Sequence, residues 1–333
     1  MKFHRPRRAC ALFLAIFLFA CAASAGSSAY RQSVEKWRHD YEDQLTSDSG
    51  WLSVSGLFWL HEGENCFGSD PLNDIVLPTA APAQAGTFDF HAGKTTVRIH
   101  PGVAATINSK RVESAELRPD NRDDRLVLGD LTLYVHASGD RFALRLKDRH
   151  SPLLKSFTGL QWFPVDESLA LSARFIPYDS PKQFDSQNVL GDSIKMDIVG
   201  YVLFTLRGQE YRLEAEANPD GTLFIVFRDL TSGKETYPAS RFLDTDLPKD
   251  GPPGETVQLD FNKAYNPPCA YNPYTTCPIP LPANRLRVEI RAGEKLYKHP
   301  HAPEPEELPP ITVIRSKPLS AENLVLFEQQ QQQ

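Results

Sequence analysis

The 333-residue sequence lacks the short motifs that identify many common activities. It has neither the glycine-rich fingerprint of dinucleotide-binding proteins nor a Walker lysine, which excludes the usual nucleotide-binding loops. No Cys-x-x-Cys or His-x-x-x-His spacing occurs, so we expect no zinc site and no cofactor. Lys and Arg total 36 against 42 Asp and Glu, and they form no basic cluster. This balance argues against nucleic acid as a partner.

Only one apolar run is long, and it lies at the N-terminus. Residues 1–25 combine four basic residues, an apolar run over 9–20 and small residues at 23–25. This is the layout of a secretory signal peptide, so we expect a periplasmic or secreted protein cleaved after Ala25. Its removal takes four positive charges and no acidic residue, which changes the net charge from -6 to -10. An alternative is lipidation of Cys21, which would attach the protein to a membrane.

The two ends of the mature chain differ in pattern. Residues 30–50 predict an amphipathic helix, because apolar residues recur at offsets of three and four and Gly50 suits a helix end. The residues of this apolar face are Val34, Trp37, Tyr41 and Leu45. Residues 298–333 are rich in proline and glutamate and close in a glutamine run, which predicts a disordered tail. We interpret His299 and His301 as solvated tail residues rather than metal ligands.

Between these ends the hydrophobic period is two, which predicts a mainly β protein. The clearest segments read TTVRIH, RLVLG, LTLYVHA, FALRLKD, LALSARFIPY, GYVLFTLRG, EYRLEAEA, TLFIVFRD and LRVEIRAG. Turns at Arg207-Gly208 and at 218–221 predict a three-stranded meander over 199–228. We expect a boundary near 150, with a β-sandwich over 51–150 and a second antiparallel β-barrel or meander domain over 151–297.

The first half resembles the forkhead-associated domain, which implies a β-sandwich over about 57–147. The resemblance depends on GENCFGSDPLNDIVLP and on the following TINSKRVESAELRPDNRDDRLVLGDLTLYVH. Phosphothreonine-binding members carry an arginine after the glycine and a Ser-x-x-His step in the next loop. Here Ser69 follows Gly68, and APAQAGTF has neither residue. Without those donors we expect no phosphothreonine peptide as a partner.

Taken as a whole, the mature chain resembles the bacterial domain-of-unknown-function family numbered 1684. The resemblance covers about residues 34–297. It depends on WRHDYEDQL, GWLSVSGLFWLHEGENCFGSD, TYPASRFL, DFNKAYNPPCAYNPYTTCPIP and NRLRVEIRAGEKLY. The family has no assigned reaction, so this resemblance implies relatedness without an activity.

The segment Asp260–Pro280 concentrates cysteine, tyrosine, asparagine and proline. In an exported chain, Cys269 and Cys277 predict a disulfide across this proline-rich loop. The surrounding polar residues have two interpretations. They could form a concave site for a small polar ligand, or they could satisfy the backbone of an irregular loop. The candidate ligand-binding residues are Arg241, Asp260, Asn262, Tyr265, Asn266, Asn284 and Glu294.

Two functional hypotheses follow from these residues. The first is a non-catalytic extracytoplasmic module that binds a small polar ligand or an envelope component. The alternative is a cofactor-independent hydrolase with Asp260 or Glu294 as general base. The segment LGDSI at 190–194 is similar to the nucleophile block of GDSL esterases, but it lies in a β-rich half without an Asp-x-x-His pair, so we interpret it as a turn.

Overall fold

The computed structural model describes residues 9–219, 221–246 and 256–298, with side chains from residue 28 onward and excluding Asp246. The start of the predicted signal peptide (1–8) and the predicted tail from 299, including His299 and His301, lie outside the described residues. The fold class is confirmed, since the protein is mainly β with an N-terminal helix. Within the described part, no helix is both long enough and apolar enough to cross a membrane.

The described chain divides into two compact units. We call Val54–Ser151 the sandwich unit. Residues 9–53 together with 152–298 form what we call the half-barrel unit. The N-terminal helix therefore belongs to the same unit as the second half of the chain.

The half-barrel unit begins with helix α1 (Ala9–Thr46). The helix starts well before the expected residue 30, because residues 9–25 contain no Gly or Pro that would interrupt it. Val34 and Leu45 of its apolar face are buried. The chain turns sharply after Thr46. A side chain at Gly50 would place its Cβ 2.2 Å from the Leu45 carbonyl oxygen, so only glycine allows this close approach.

The sandwich unit has eleven strands in two sheets. In chain order they are β1 (Val54–Trp59), β2 (Gly63–Gly68), β3 (Ile75–Val76), β4 (Gly86–His91), β5 (Lys94–Ile99), β6 (Thr106–Ile107), β7 (Lys110–Arg111), β8 (Ser114–Leu117), β9 (Leu126–Leu128), β10 (Leu131–Ser138) and β11 (Arg141–Asp148). The sheet orders are β1-β11-β10-β9-β6-β7 and β3-β2-β4-β5-β8. Alternate side chains of both sheets form one core, in which the Phe67 and Phe88 rings lie 4.4 Å apart.

The half-barrel unit continues with a short helix α2 (Pro152–Ser156) and one antiparallel sheet. Its strands are β12 (Ala170–Gln187), β13 (Ser193–Leu206), β14 (Gln209–Ala217), β15 (Thr222–Phe227), β16 (Arg241–Asp246) and β17 (Thr256–Asp260). The order β16-β15-β14-β13-β12-β17 is a meander whose last strand returns to the first. The predicted turn at Arg207-Gly208 joins β13 to β14 with φ values of 54° and 79°.

The prediction of a strand at LRVEIRAG is wrong, because residues 286–293 form no named strand. Their carbonyl groups bond elsewhere: those of Ile290 and Ala292 accept hydrogen bonds from the Arg241 guanidinium. The LGDSI segment is a turn, in which Asn188 Oδ1 accepts from the backbone of Leu190 and Asp192. Single 3-10 turns lie at Trp51–Ser53, Glu167–Leu169, Phe261–Lys263, Pro268–Ala270 and Pro282–Asn284.

Candidate functional site

The loop Asp260–Pro280 covers one face of the half-barrel sheet. Strand alternation directs Ile225 and Phe227 into the main core and Val226 to the opposite face. On that opposite face, Val226, Phe242 and Cys277 belong to a second apolar cluster. The loop is thus held in part by its own buried side chains.

Glu294 connects the loop to the end of the described chain. Its carboxylate is 1% exposed and accepts hydrogen bonds from Asn266 N (2.8 Å), Asn266 Nδ2 (2.7 Å) and the Tyr271 hydroxyl (2.6 Å). Gly293, with φ 76°, makes this possible, since a Cβ there would lie 2.3 Å from the Ala264 oxygen. Burial raises the pKa of Glu294 to about 7, although its hydrogen-bond donors and Arg241 act in the opposite direction.

Arg241 lies at the start of β16 and is completely buried. Its Nη1 donates to Asp229 Oδ2 at 2.8 Å and to the Ile290 oxygen at 3.0 Å, and its Nη2 donates to Ala292 O. Burial lowers the pKa of the guanidinium, and Asp229 partly offsets that effect. This buried ion pair joins the sheet to the 290–292 segment, so Arg241 has a structural role in place of an exposed anion-binding one.

Asp260 and Asn262 form a polar pair that holds a tyrosine hydroxyl from helix α1. The Tyr30 hydroxyl donates to Asp260 Oδ1 at 2.8 Å and accepts from Asn262 Nδ2 at 2.9 Å. Asn262 Nδ2 also donates to Asp166 O, while its Oδ1 accepts from Asp166 N. Asp260 also caps the following 3-10 turn through the Asn262 N–H. Burial, followed by the hydrogen bond to Asp260, raises the pKa of Tyr30.

Tyr265 makes a third set of contacts, with Asp244 and with rings of helix α1. Its hydroxyl donates to Asp244 Oδ2 at 2.7 Å, and its ring lies 5.0 Å from that of Tyr41 and 6.2 Å from that of Trp37. Trp162 meets the same two α1 rings edge-on. We call these four rings the aromatic anchor, because they dock helix α1. Burial raises the pKa of Tyr265 well above its ordinary value, so the phenol stays neutral.

Asn284 braces two strands that have separated. Strands β14 and β15 pair only at Glu216–Phe224 and Ala217–Leu223, next to their turn. Farther along, Asn284 Oδ1 accepts from Glu214 N at 2.7 Å, while Nδ2 donates to Glu214 O and Val226 O. One amide therefore satisfies three buried backbone groups.

Asn284→Ala is expected to lower the free energy of unfolding by about 3 kcal/mol, because those backbone groups lose their partner without access to water. Urea denaturation measures it. Gln209→Ala, which removes an exposed amide at the start of β14, the strand that contains Glu214, is the control and should change stability by less than about 0.5 kcal/mol. Equal effects of the two substitutions would show that Asn284 is not a brace.

The predicted disulfide is not present: Cys269 and Cys277 are free thiols. Instead of an S–S bond, Cys277 Sγ accepts the Cys269 backbone N–H at 3.2 Å, and Cys277 is buried in the second apolar cluster. The hydrogen bond with Cys277 lowers the pKa of the Cys269 thiol, whereas burial raises that of Cys277. Packing and hydrogen bonds, rather than a covalent bond, hold the loop.

The seven candidates therefore do not share one open pocket. Glu294 and Asn266 lie together, with Arg241 nearby. Asp260 and Asn262 form a second group. Tyr265 bonds Asp244, and Asn284 bonds the backbone of β14 and β15. Among the described residues, no group of three or more His, Cys, Asp or Glu side chains could hold a metal ion.

Sequence patterns did not identify three polar residues of the half-barrel unit, namely Tyr30, Asp229 and Glu216. Tyr30 lies four residues before Val34, so the periodicity that located the helix face could have found it. Asp229 and half-buried Glu216 had no such signal. Burial raises the pKa of Glu216 to about 7, and the carboxylate accepts a hydrogen bond from Asp197 N at 3.2 Å.

The chain is thus a two-unit, mainly β protein, in which the residues of the sandwich unit come between the N-terminal helix and the rest of the half-barrel unit in sequence. Residues 155–295 match the model of a family described as protein of unknown function, DUF1684. The matched residues lie in the half-barrel unit. The resemblance over 34–297 is thus confirmed for 155–295.

Solved structures similar to this chain include one determined by NMR. It is the solution NMR structure of the uncharacterised protein from gene locus rrnAC0354 of Haloarcula marismortui, with 31% identity, 42% of this chain and 78% of that chain covered, and a TM-score of 0.37. No curated protein matches the sequence. The forkhead-associated resemblance of the first half stays a prediction.

Proposed function

We propose that this protein is a non-catalytic extracytoplasmic module that binds a small polar ligand, with Asp260 and Asn262 as the recognition pair. The observation that carries this proposal is the Tyr30 hydroxyl of helix α1, which donates to Asp260 Oδ1 at 2.8 Å and accepts from Asn262 Nδ2 at 2.9 Å, the two bonds that a ligand hydroxyl would make. The other buried candidates are engaged in the fold. A carboxylate beside an amide supplies an acceptor and a donor, which is the arrangement of small-molecule sites.

Export is part of the same proposal and rests on the sequence. The segment up to Ala25 has the layout of a signal peptide. Mass spectrometry of the mature protein tests it: we expect an N-terminus at Gly26, and a lipid-bearing Cys21 would show the membrane-anchored alternative. An intact N-terminus in the envelope fraction would contradict cleavage.

For the sandwich unit we propose a forkhead-associated-like fold without phosphopeptide binding. Ser69 follows Gly68 where binding members carry arginine. Its hydroxyl donates to Ala81 O at 2.8 Å, so it is engaged within the unit. A partner for this unit would therefore be an envelope component without a phosphothreonine.

A thermal-shift screen of small sugars, amino acids and alcohols tests the binding function. A ligand that prefers the native state raises the Tm, and we expect such a ligand for the wild type that loses its effect in Asp260→Ala. Arg291→Met, which removes an exposed ion pair with Glu235, is the control and should respond like the wild type. Shifts that are equal in wild type and Asp260→Ala would contradict the recognition pair.

The hydrolase alternative is favoured by the burial of the Glu294 carboxylate, which raises its pKa to about 7, a value that suits a general base. A hydrolase substrate panel on wild type, Asp260→Ala and Glu294→Gln decides between the two functions. Hydrolysis that both substitutions leave unchanged would remove these carboxylates as bases. Hydrolysis that depends on either carboxylate would replace the binding proposal.

A further inference from the structure

The contact between helix α1 and the Asp260–Asn262 pair differs from the rest of the helix docking. Trp37 and Tyr41 are held by ring contacts with Trp162 and Tyr265. Tyr30 has no ring–ring contact among the described residues and is held through its oxygen. Its neighbours Ser28, Ala29 and Arg31 are exposed, and Tyr30 itself is half-buried. The aromatic anchor therefore docks the helix through ring contacts, whereas the Tyr30 contact is polar and lies in an exposed stretch of the helix.

The pair below Tyr30 is almost completely enclosed. Asp260 is 4% exposed and Asn262 has no exposed surface with the phenol in place. If Tyr30 left, Asp260 Oδ1 would keep the Asn262 backbone N–H and Nδ2 as donors at 3.1 Å, but the two shorter bonds to the phenol, at 2.8 and 2.9 Å, would be lost. A ligand that replaced the phenol would restore both bonds. Tyr30 thus occupies the place of a ligand.

We propose that Tyr30 is a displaceable plug and that the site beneath it takes a neutral ligand carrying a phenolic or alcoholic hydroxyl. This inference rests on the proposed binding function and names the substrate class of the same pair. Helix α1 would hold the site closed in the free protein and release it when a hydroxyl ligand competes.

The two polar contacts define the hydroxyl specificity. A hydroxyl both donates and accepts, so it satisfies Asp260 Oδ1 and Asn262 Nδ2 together. A ligand carboxylate would face the Asp260 carboxylate and be repelled. A ligand ammonium has no acceptor for the Asn262 amide. Charged side chains nearby include Lys263, whose Nζ lies 3.9 Å from Asp260 Oδ2, Arg38, which donates to Asn262 O, and Glu167, whose charge also raises the pKa of Tyr30.

The test is chemical rescue of the plug with p-cresol, which carries the ring and hydroxyl of tyrosine. In Tyr30→Ala, p-cresol should raise the Tm, with an apparent Kd about tenfold tighter than that of toluene, because only p-cresol restores the polar bonds. The response should decrease in the order Tyr30→Ala, Tyr30→Phe, wild type. In Tyr30→Ala combined with Asp260→Ala, p-cresol should keep no advantage over toluene.

Equal Kd values for p-cresol and toluene in Tyr30→Ala would overturn the inference. Tyr30→Phe keeps the ring and provides the same comparison if Tyr30→Ala does not fold. The outcome is separable from that of the proposed function. An Asp260-dependent ligand of the wild type without rescue would retain the binding function and reject the plug. Rescue without any such ligand would show that the pair accepts a hydroxyl group but would reject the binding function of the wild type.

Discussion

Arg241→Met is expected to lower the free energy of unfolding of the half-barrel unit by about 3–5 kcal/mol, the largest single effect that the structure predicts. Methionine fills much of the volume but leaves Asp229 as a buried charge without its cation. The carbonyl groups of Ile290 and Ala292 also lose their donor. The loss of stability arises mainly because these buried polar groups are left without a hydrogen-bond partner, since an intact buried ion pair itself adds little net stability.

Urea denaturation followed by tryptophan fluorescence measures this change, since Trp37, Trp51 and Trp162 belong to the half-barrel unit. Arg291→Met is the matched control. Arg291 pairs with Glu235 at 2.7 Å while 61% exposed, so its loss should cost less than about 1 kcal/mol. A cost for Arg241→Met no greater than that of the control would show that the ion pair does not join the sheet to the 290–292 segment.

A second substitution separates charge from packing. Adding Asp229→Asn to Arg241→Met removes the stranded charge while keeping an acceptor for Thr231, whose N–H lies 2.7 Å from Asp229 Oδ1. The double variant should therefore recover part of the lost stability. If it is less stable than Arg241→Met alone, lost packing against Phe227, 5.2 Å from the guanidinium, explains the cost better.

The sequence predicted well those features that local periodicity determines. Alternation located β10 and β13 to β15, and offsets of three and four identified the α1 face that includes Trp37 and Tyr41. Partners distant in the chain have no such signal. Tyr30 bonds Asp260 across 230 positions, and nothing near either residue specifies that contact.

Composition also predicted where polar chemistry would concentrate, but not how it would be used. Asp, Asn and Tyr near a proline-rich loop are compatible with a site and with a loop that satisfies its own backbone. Which of these holds depends on close approaches such as that of Gly293 to Ala264, which buries Glu294. The cysteine spacing predicted a disulfide, yet the Cys277 sulfur instead faces the Cys269 N–H.

Glu294 should make stability depend on pH near neutrality. Its pKa is about 7 in the folded protein against an ordinary value of 4.5, so the folded state binds the proton more tightly than the unfolded state. Stability from this group is therefore fully present below about pH 4.5 and is lost as the pH rises to about 7. The corresponding free energy is about 3 kcal/mol, at 1.36 kcal/mol per pKa unit.

Glu294→Gln isolates this contribution, because the other titrating groups are shared by both proteins and cancel in the difference between them. Gln cannot titrate, so the stability of the wild type minus that of the variant should fall by about 2–3 kcal/mol from pH 5 to pH 8, as measured by urea denaturation at each pH. Glu216→Gln, which removes the half-buried carboxylate, should show the same sign with a smaller slope, since solvent screens it. A difference that rises with pH would mean that the Asn266 and Tyr271 donors outweigh burial and hold the pKa of Glu294 below its ordinary value.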